Sequence, residues 1–337
     1  MKRGFMNKNW AIITVLLLLA LPVVVRAQYI CTTNGGEITI TGYTGAPALP
    51  SGALTIPSTT NGLPVKKIGS SAFAYSYNIT TVTIPNGVTN IGDCAFQQCT
   101  NLVSVVLSSN VTSIGACVFY GCTALTNMTI PNSVVNIGNQ AYQFCSRLTS
   151  VTIPNGVTNI DHAAFAACDA LNSVTIPNSI ISIGGAAFQN CFNLTNIVLG
   201  SNVTNIGDYA FMGCTAMTAI YFTGNAPTAC DLNVFQGDNA KIYYRPNTTG
   251  WGSFTGPTPI LWNPQARNDA TFGISTNWFG FTITNAGSPT IIVDACTNLV
   301  SGAWVPVSTN TLTGGQSYFS DPQWTNYPGR FYRFRAQ

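Results

Sequence analysis

The sequence predicts a mainly β protein, a solenoid of short stacked coils followed by a small antiparallel β-sandwich-like domain. Three observations carry this. A hydrophobic pattern recurs every 23 residues between about residues 54 and 250. Each recurrence holds an alternating apolar stretch, in most coils closed by Pro-Asn-Gly or Pro-Asn-Ser. From about residue 265 the period is lost, and short alternating segments separated by Gly, Pro and Asn take over. A fixed period of 20–50 residues marks a solenoid, because one unit cannot cover its own apolar face and must stack on the next.

The unit is clearest in Ser150–Val174. Side chains two apart on a strand share a face, so Val151 and Ile153 point into the coil while Ser150 and Thr152 point out. Pro154 has no N–H and ends the ladder. Asn155-Gly156 then turns the chain. Three columns keep this register. One is Ile84, Leu107, Ile130, Ile153, Ile176, Leu199 and Phe222. The second is Ile68, Ile91, Ile114, Ile137, Ile160, Ile183 and Ile206. The third is aromatic, Phe73, Phe96, Phe119, Tyr142, Phe165, Phe188 and Phe211, and is expected to stack between coils as a spine.

Leu148-x-x-Val151-x-Ile153 has the spacing of a leucine-rich repeat. The variant I-P-x-x-V-x-x-I-G-x-x-A-F-x-x-C resembles the BspA-like leucine-rich repeat family, over about Leu54 to Tyr244. The resemblance implies a curved right-handed solenoid on secreted or cell-surface bacterial proteins, and adhesion or ligand binding in general terms.

In chain order, residues 1–27 have the make-up of a secretory signal peptide. Lys2, Arg3 and Lys8 precede the largely apolar run Ala11–Val25, and Val25-Arg26-Ala27 places cleavage after Ala27. The run is short for a membrane-spanning helix, which needs ~20 residues. Residues 28–53 are expected to form a β cap over the first coil, with a turn at Asn34-Gly35-Gly36 and a half-buried strand at Ile38–Ile40. Residues 54–250 form the solenoid, with a last strand at Lys241–Tyr244, and 251–264 a closing cap and linker. Residues 265–337 form the terminal β domain, with strand signals at Phe279–Thr284, Thr290–Asp294, Trp304–Ser308, Ser317–Ser320 and Phe331–Arg335.

Composition restricts the function. Only 7% of residues are charged, roughly a quarter of the usual share. The formal charge of +3 counts Lys2, Arg3, Lys8 and Arg26 of the leader; residues 28–337 carry 9 basic and 10 acidic side chains. Such a surface is poorly suited to nucleic acid or to acidic membranes. Cys99, Cys122, Cys145, Cys168, Cys191 and Cys214 share one column. Adjacent coils lie ~4.8 Å apart, and parallel side chains keep their Cβ atoms above the ~3.8 Å mean of a disulfide. A buried thiol ladder is therefore expected. Cys94, Cys99, Cys117 and Cys122 offer four thiols to zinc on paper, but they belong to two different columns. A Cys94–Cys117 disulfide fits better than that metal site. Sequence leaves open the redox state of Cys31, Cys94, Cys117, Cys230 and Cys296.

His162 is the only histidine and follows Asp161, a pairing that suggests a general base. Asp161, however, occupies the column of Gly92, Gly115, Gly138, Gly184 and Gly207, so a surface turn is expected. The carboxylates are too scattered for glycoside hydrolysis. No catalytic residue, cofactor site or metal site is assigned.

The outward columns of the strands are the expected binding face: Thr83, Ser104, Asn127, Thr129, Ser150, Thr152, Ser173, Thr175, Asn196 and Tyr221. A repeating hydroxyl and amide array suits a repeating polymer such as a glycan, although Thr is also simply a good strand residue. The expectation is a secreted or cell-surface, non-catalytic binding or adhesion protein with an unknown protein or glycan ligand. The competing readings are a spacer that displays or tethers the terminal domain, and an accessory module of a polysaccharide-acting enzyme.

Overall fold

The computed structural model describes residues 28–44, 52–230, 232–267, 269–275, 278–285, 289–297, 303–327 and 330–336. The expected leader and its cleavage point lie outside the described residues. The chain is mainly β, as expected, with a solenoid followed by antiparallel sheets.

A 10-stranded parallel sheet runs along one side of the solenoid, from Gly52–Thr55 at one edge to Ile260–Leu261 at the other. One sequence period equals one strand spacing: Ser150 lies beside Ser173, Val151 beside Val174 and Thr152 beside Thr175. Inward residues are buried, with Val151 and Ile153 exposed by 3% and 2%. After each strand the chain makes a tight turn in which the Val157 N–H donates to the Pro154 carbonyl at 3.1 Å. A second line of two-residue strands follows, including Asn159–Ile160, Ser182–Ile183 and Asn205–Ile206, again paired coil to coil.

The remaining side of each coil has no strand. Cys94, Cys117, Gln140, Ala163, Ala186 and Tyr209 all hold φ between 52° and 60° there. Left-handed backbone costs an L residue about 1–2 kcal/mol. The return is that alternate amides point along the solenoid axis. Cys94, Phe96 and Gln98 donate to the carbonyls of Ala116, Val118 and Tyr120 in the next coil, at 2.8, 3.0 and 2.7 Å. Between these turns the aromatic spine stacks face to face: Phe165 lies 5.2 Å from Tyr142 and 5.5 Å from Phe188. The stack continues through Phe211 to Phe235.

Both open ends are covered. The hairpin Gln28–Asn34/Glu37–Thr44 turns at Gly35 and Gly36, whose φ of 59° and 80° an L side chain rarely adopts. Its second strand pairs with Leu63–Ile68, burying Ile38 and Ile40, and Tyr29 meets the end of the spine edge-on at Phe73. At the other end Trp251 stacks on Tyr244 at 4.8 Å and meets Phe222 edge-on. Ile260–Leu261, in the stretch read from sequence as cap and linker, pairs with Lys241–Tyr244 and extends the sheet by one strand.

The terminal domain packs two antiparallel sheets around Phe281, Ile283, Ile291, Val293, Leu312 and Phe319. One contains Trp278–Thr284 and Gln316–Asp321; the other has Thr290–Cys296 between Val305–Thr311 and Phe331–Ala336. The alternating tail divides by face. Tyr332 and Phe334 pack on the core, while Arg333 and Arg335 both reach the buried carboxylate of Asp294.

Candidate functional site

The outward face of the long sheet is a field of short polar side chains. Thr83, Asn127, Thr129, Ser150, Thr152, Ser173 and Thr175 are exposed, and Ser104 and Asn196 are half-buried. Their register makes straight files. Ser104, Asn127, Ser150 and Ser173 stand side by side, as do Thr152, Thr175 and the exposed Val198.

Many threonines outside this face behave differently. Thr112, Thr126, Thr149, Thr204 and Thr218 donate to carbonyls of the preceding coil, at 3.2–3.4 Å. They satisfy backbone acceptors and so stitch the coils together. Among the described residues, the hydroxyls of Thr83, Ser104, Thr129, Ser150, Thr152, Ser173 and Thr175 have no protein partner and face solvent. Asn127 accepts from Thr149, and Asn196 donates to Thr195.

Tyr221 is not the exposed aromatic that its outward column suggests. It is 5% exposed, stacked on Tyr243 at 5.1 Å and met edge-on by Trp262. Burial raises its phenol above the ordinary range. The sheet face therefore ends in an aromatic block of Tyr221, Tyr243 and Trp262, bordered by two cavities. One, of about 250 Å³, also takes in Arg245 and Arg335. The other, of about 520 Å³, is lined in part by Asn196, Lys241 and Thr290. Trp262 was missed in sequence because it follows the last legible repeat.

The thiol column lies inside the coils, and its cysteines are free thiols. Each thiol donates to the carbonyl of the spine residue one coil back, Cys99 to Phe73 and so on to Cys214 to Phe188, all at 3.2 Å. Burial pushes Cys99 up to about 12 and raises the following thiols well above their ordinary value, so they stay protonated. Cys94 and Cys117 are also thiols, and Cys117 donates to Gln140 Oε1 at 3.4 Å. Among the described residues no group of three or more His, Cys, Asp or Glu side chains could hold a metal ion.

The ladder has two further members that its sequence pattern hides. Ser76 precedes Cys99 by one period and is fully buried with no partner for its hydroxyl. Asp238 follows Cys214, one residue late because the last coil carries an insertion. Its amide donates to the Phe235 carbonyl, as that of Cys214 does to Phe211. Burial pushes its carboxyl up to about 7, and its oxygens are buried with no partner in bonding geometry; the nearby amides of Cys214 and Gly213 offset only part of the shift. Asp161 and His162 form no mutual hydrogen bond among the described residues. Asp161 is half-buried, which raises its carboxyl, and His162 is exposed.

Comparison with family models gives a match to the BspA type leucine rich repeat region, in six copies, over residues 66–171 and 136–249. The chain belongs to the BspA-type leucine-rich repeat family. Solved leucine-rich repeat proteins resemble it at modest identity. A leucine-rich repeat protein from Bacteroides ovatus is 24% identical, with 70% of this chain and 75% of that one covered, at a TM-score of 0.39. The leucine rich repeat protein of T. pallidum is 28% identical, covering 56% and 87%, also at 0.39. A leucine rich cell surface protein from Faecalibacterium prausnitzii is 24% identical, covering 66% and 90%, at 0.34. No curated protein matched. Among the described residues of this BspA-type chain, no helix is long and apolar enough to cross a membrane.

Proposed function

We propose that this is an exported, non-catalytic recognition protein that holds a polymeric ligand, a glycan first among them, along the outward sheet face. Membership of the BspA-type family supports a binding or adhesion role, and the signal-peptide make-up of residues 1–27 supports display outside the cell. The observation that carries the reading is the contrast between two sets of threonines. Many of those outside the face, Thr112, Thr126, Thr149, Thr204 and Thr218 among them, are committed to backbone carbonyls. Those on the face, with Ser150 and Ser173, keep their hydrogen-bonding capacity for something outside the chain. Parallel files at strand spacing, ~4.8 Å, suit a ligand whose own groups repeat. A flat polar field without an exposed aromatic or Arg anchor is poor ground for a tight protein hot spot.

A glycan array probed with the 28–337 chain tests this. Saturable binding that is lost in Thr152→Arg, a change at the centre of the field that leaves the core untouched, is the expected outcome. Silence across glycans and matrix proteins would leave the coils as a spacer for the terminal domain.

A further inference from the structure

The cavity at the end of the sheet face differs in chemistry from the field beside it. Its walls are Val198, Tyr221, Tyr243 and Trp262, with Arg245 and Arg335 also lining it. Arg245 comes from the solenoid, and its guanidinium lies 6.0 Å from the centre of the Trp262 ring. Arg335 comes from the last strand of the terminal domain and is held in place by Asp294, with Nε 3.0 and 2.9 Å from the two carboxylate oxygens. Asp294 also accepts from Arg333 at 3.1 Å. One buried carboxylate thus serves two guanidinium groups, and the cluster keeps a net positive charge. Four of the nine basic residues in 28–337, Lys241, Arg245, Arg333 and Arg335, lie around this end of the face.

An apolar aromatic wall takes the flat C–H face of a pyranose ring, and guanidinium groups take a carboxylate in paired hydrogen bonds. A volume of about 250 Å³ lies just below the ~300–1,000 Å³ of drug-sized ligand pockets, so its occupant is small, such as a single sugar ring. The cavity also lies where two domains meet, a common place for such sites. We propose that it binds a uronic acid residue of an acidic polysaccharide, with the ring against Trp262 and the tyrosines and the carboxylate between Arg245 and Arg335. This rests on the reading of the sheet face as a glycan surface: the neighbouring sugars run onto the Thr and Ser files, and the pocket selects for charge. A ligand held by both arginines also ties the terminal domain to the solenoid.

Calorimetric titration of the 28–337 chain with oligogalacturonate tests the proposal, alongside the same oligomer with its carboxylates reduced to alcohols, and a sulfated galactan. Saturable binding of oligogalacturonate is expected, with quenching of Trp fluorescence and weakening by added salt. The carboxyl-reduced oligomer and the sulfated galactan should each bind about tenfold or more weaker, the first because it lacks charge and the second because it lacks the planar carboxylate. Arg245→Gln, at an exposed side chain, should lower oligogalacturonate affinity by a similar factor without changing the melting temperature. Arg335→Gln should do the same, with Arg333 left to pair Asp294. No binding of oligogalacturonate, equal binding of the reduced oligomer, or full binding by Arg245→Gln overturns the proposal. Thr152→Arg separates the two readings. If it abolishes binding while Arg245→Gln does not, the field is the site and the pocket is not. If Arg245→Gln abolishes binding and Thr152→Arg is silent, the pocket stands and the sheet-face reading fails.

Discussion

The thiol of Cys168 donates a hydrogen bond to the carbonyl oxygen of Tyr142 one coil back, at 3.2 Å. The same carbonyl already accepts the Cys145 amide at 3.1 Å. A carbonyl has two lone pairs, and in the closed interior of a solenoid no water reaches the second. A cysteine fills that position as a small hydrophobe that still carries one weak donor. This explains why the column is cysteine rather than alanine or valine, and why it has no need of disulfides.

Protection of the ladder follows from burial. The thiolate is the reactive form, and desolvation suppresses it. Alkylation of the native chain at neutral pH, followed by mass spectrometry, should label the half-exposed Cys31, Cys94, Cys117 and Cys230. Cys99, Cys122, Cys145, Cys168, Cys191 and Cys214 should react only after denaturant is added. Labelling of native Cys168 as fast as Cys94 would contradict the ladder.

Two spine substitutions should move stability in opposite directions. Phe165 is fully buried between two parallel rings, so Phe165→Ala should cost about 3–5 kcal/mol. Tyr142 fills the same column with an added hydroxyl, buried and without a partner among the described residues. Removing that orphan in Tyr142→Phe should raise stability by about 1–3 kcal/mol. Urea unfolding of both variants is the measurement, and a destabilised Tyr142→Phe would mean that the hydroxyl has a partner.

Asp238 should make the end of the solenoid sensitive to pH. Its folded-state carboxyl is raised from the ordinary 3.8 to about 7 by burial. The folded state therefore binds more protons than the unfolded chain between about pH 4 and 7, and stability falls as pH rises through that window. When protonated, the acid is a donor like the thiols above it in the column. Asp238→Asn, neutral at every pH, should flatten this part of the melting-temperature profile between pH 4 and 8. An unchanged slope would show that Asp238 is not the group responsible.

How much was legible follows from where the period holds. Ile153, Phe165 and Cys168 could be placed from their spacing alone, since every copy of the column faces the same surroundings. Ser76, Asp238 and Trp262 could not. Ser76 stands before the first cysteine and breaks the residue type. Asp238 is displaced by one insertion, which moves it out of the 23-residue register while the backbone restores its position. A search of the cysteine column that allowed one inserted residue would have found it. Tyr221 packs outside the coil interior, and what covers it was invisible because Trp262 lies beyond the last repeat.

The sequence by itself determined the stacking, the buried files and the outward hydroxyl columns, because each depends on a contact between residues one period apart. Only the tertiary structure decided where the polar face stops and which arginines gather at its edge. That edge is made by the last strand and by a domain without the repeat, whose neighbours no local pattern records.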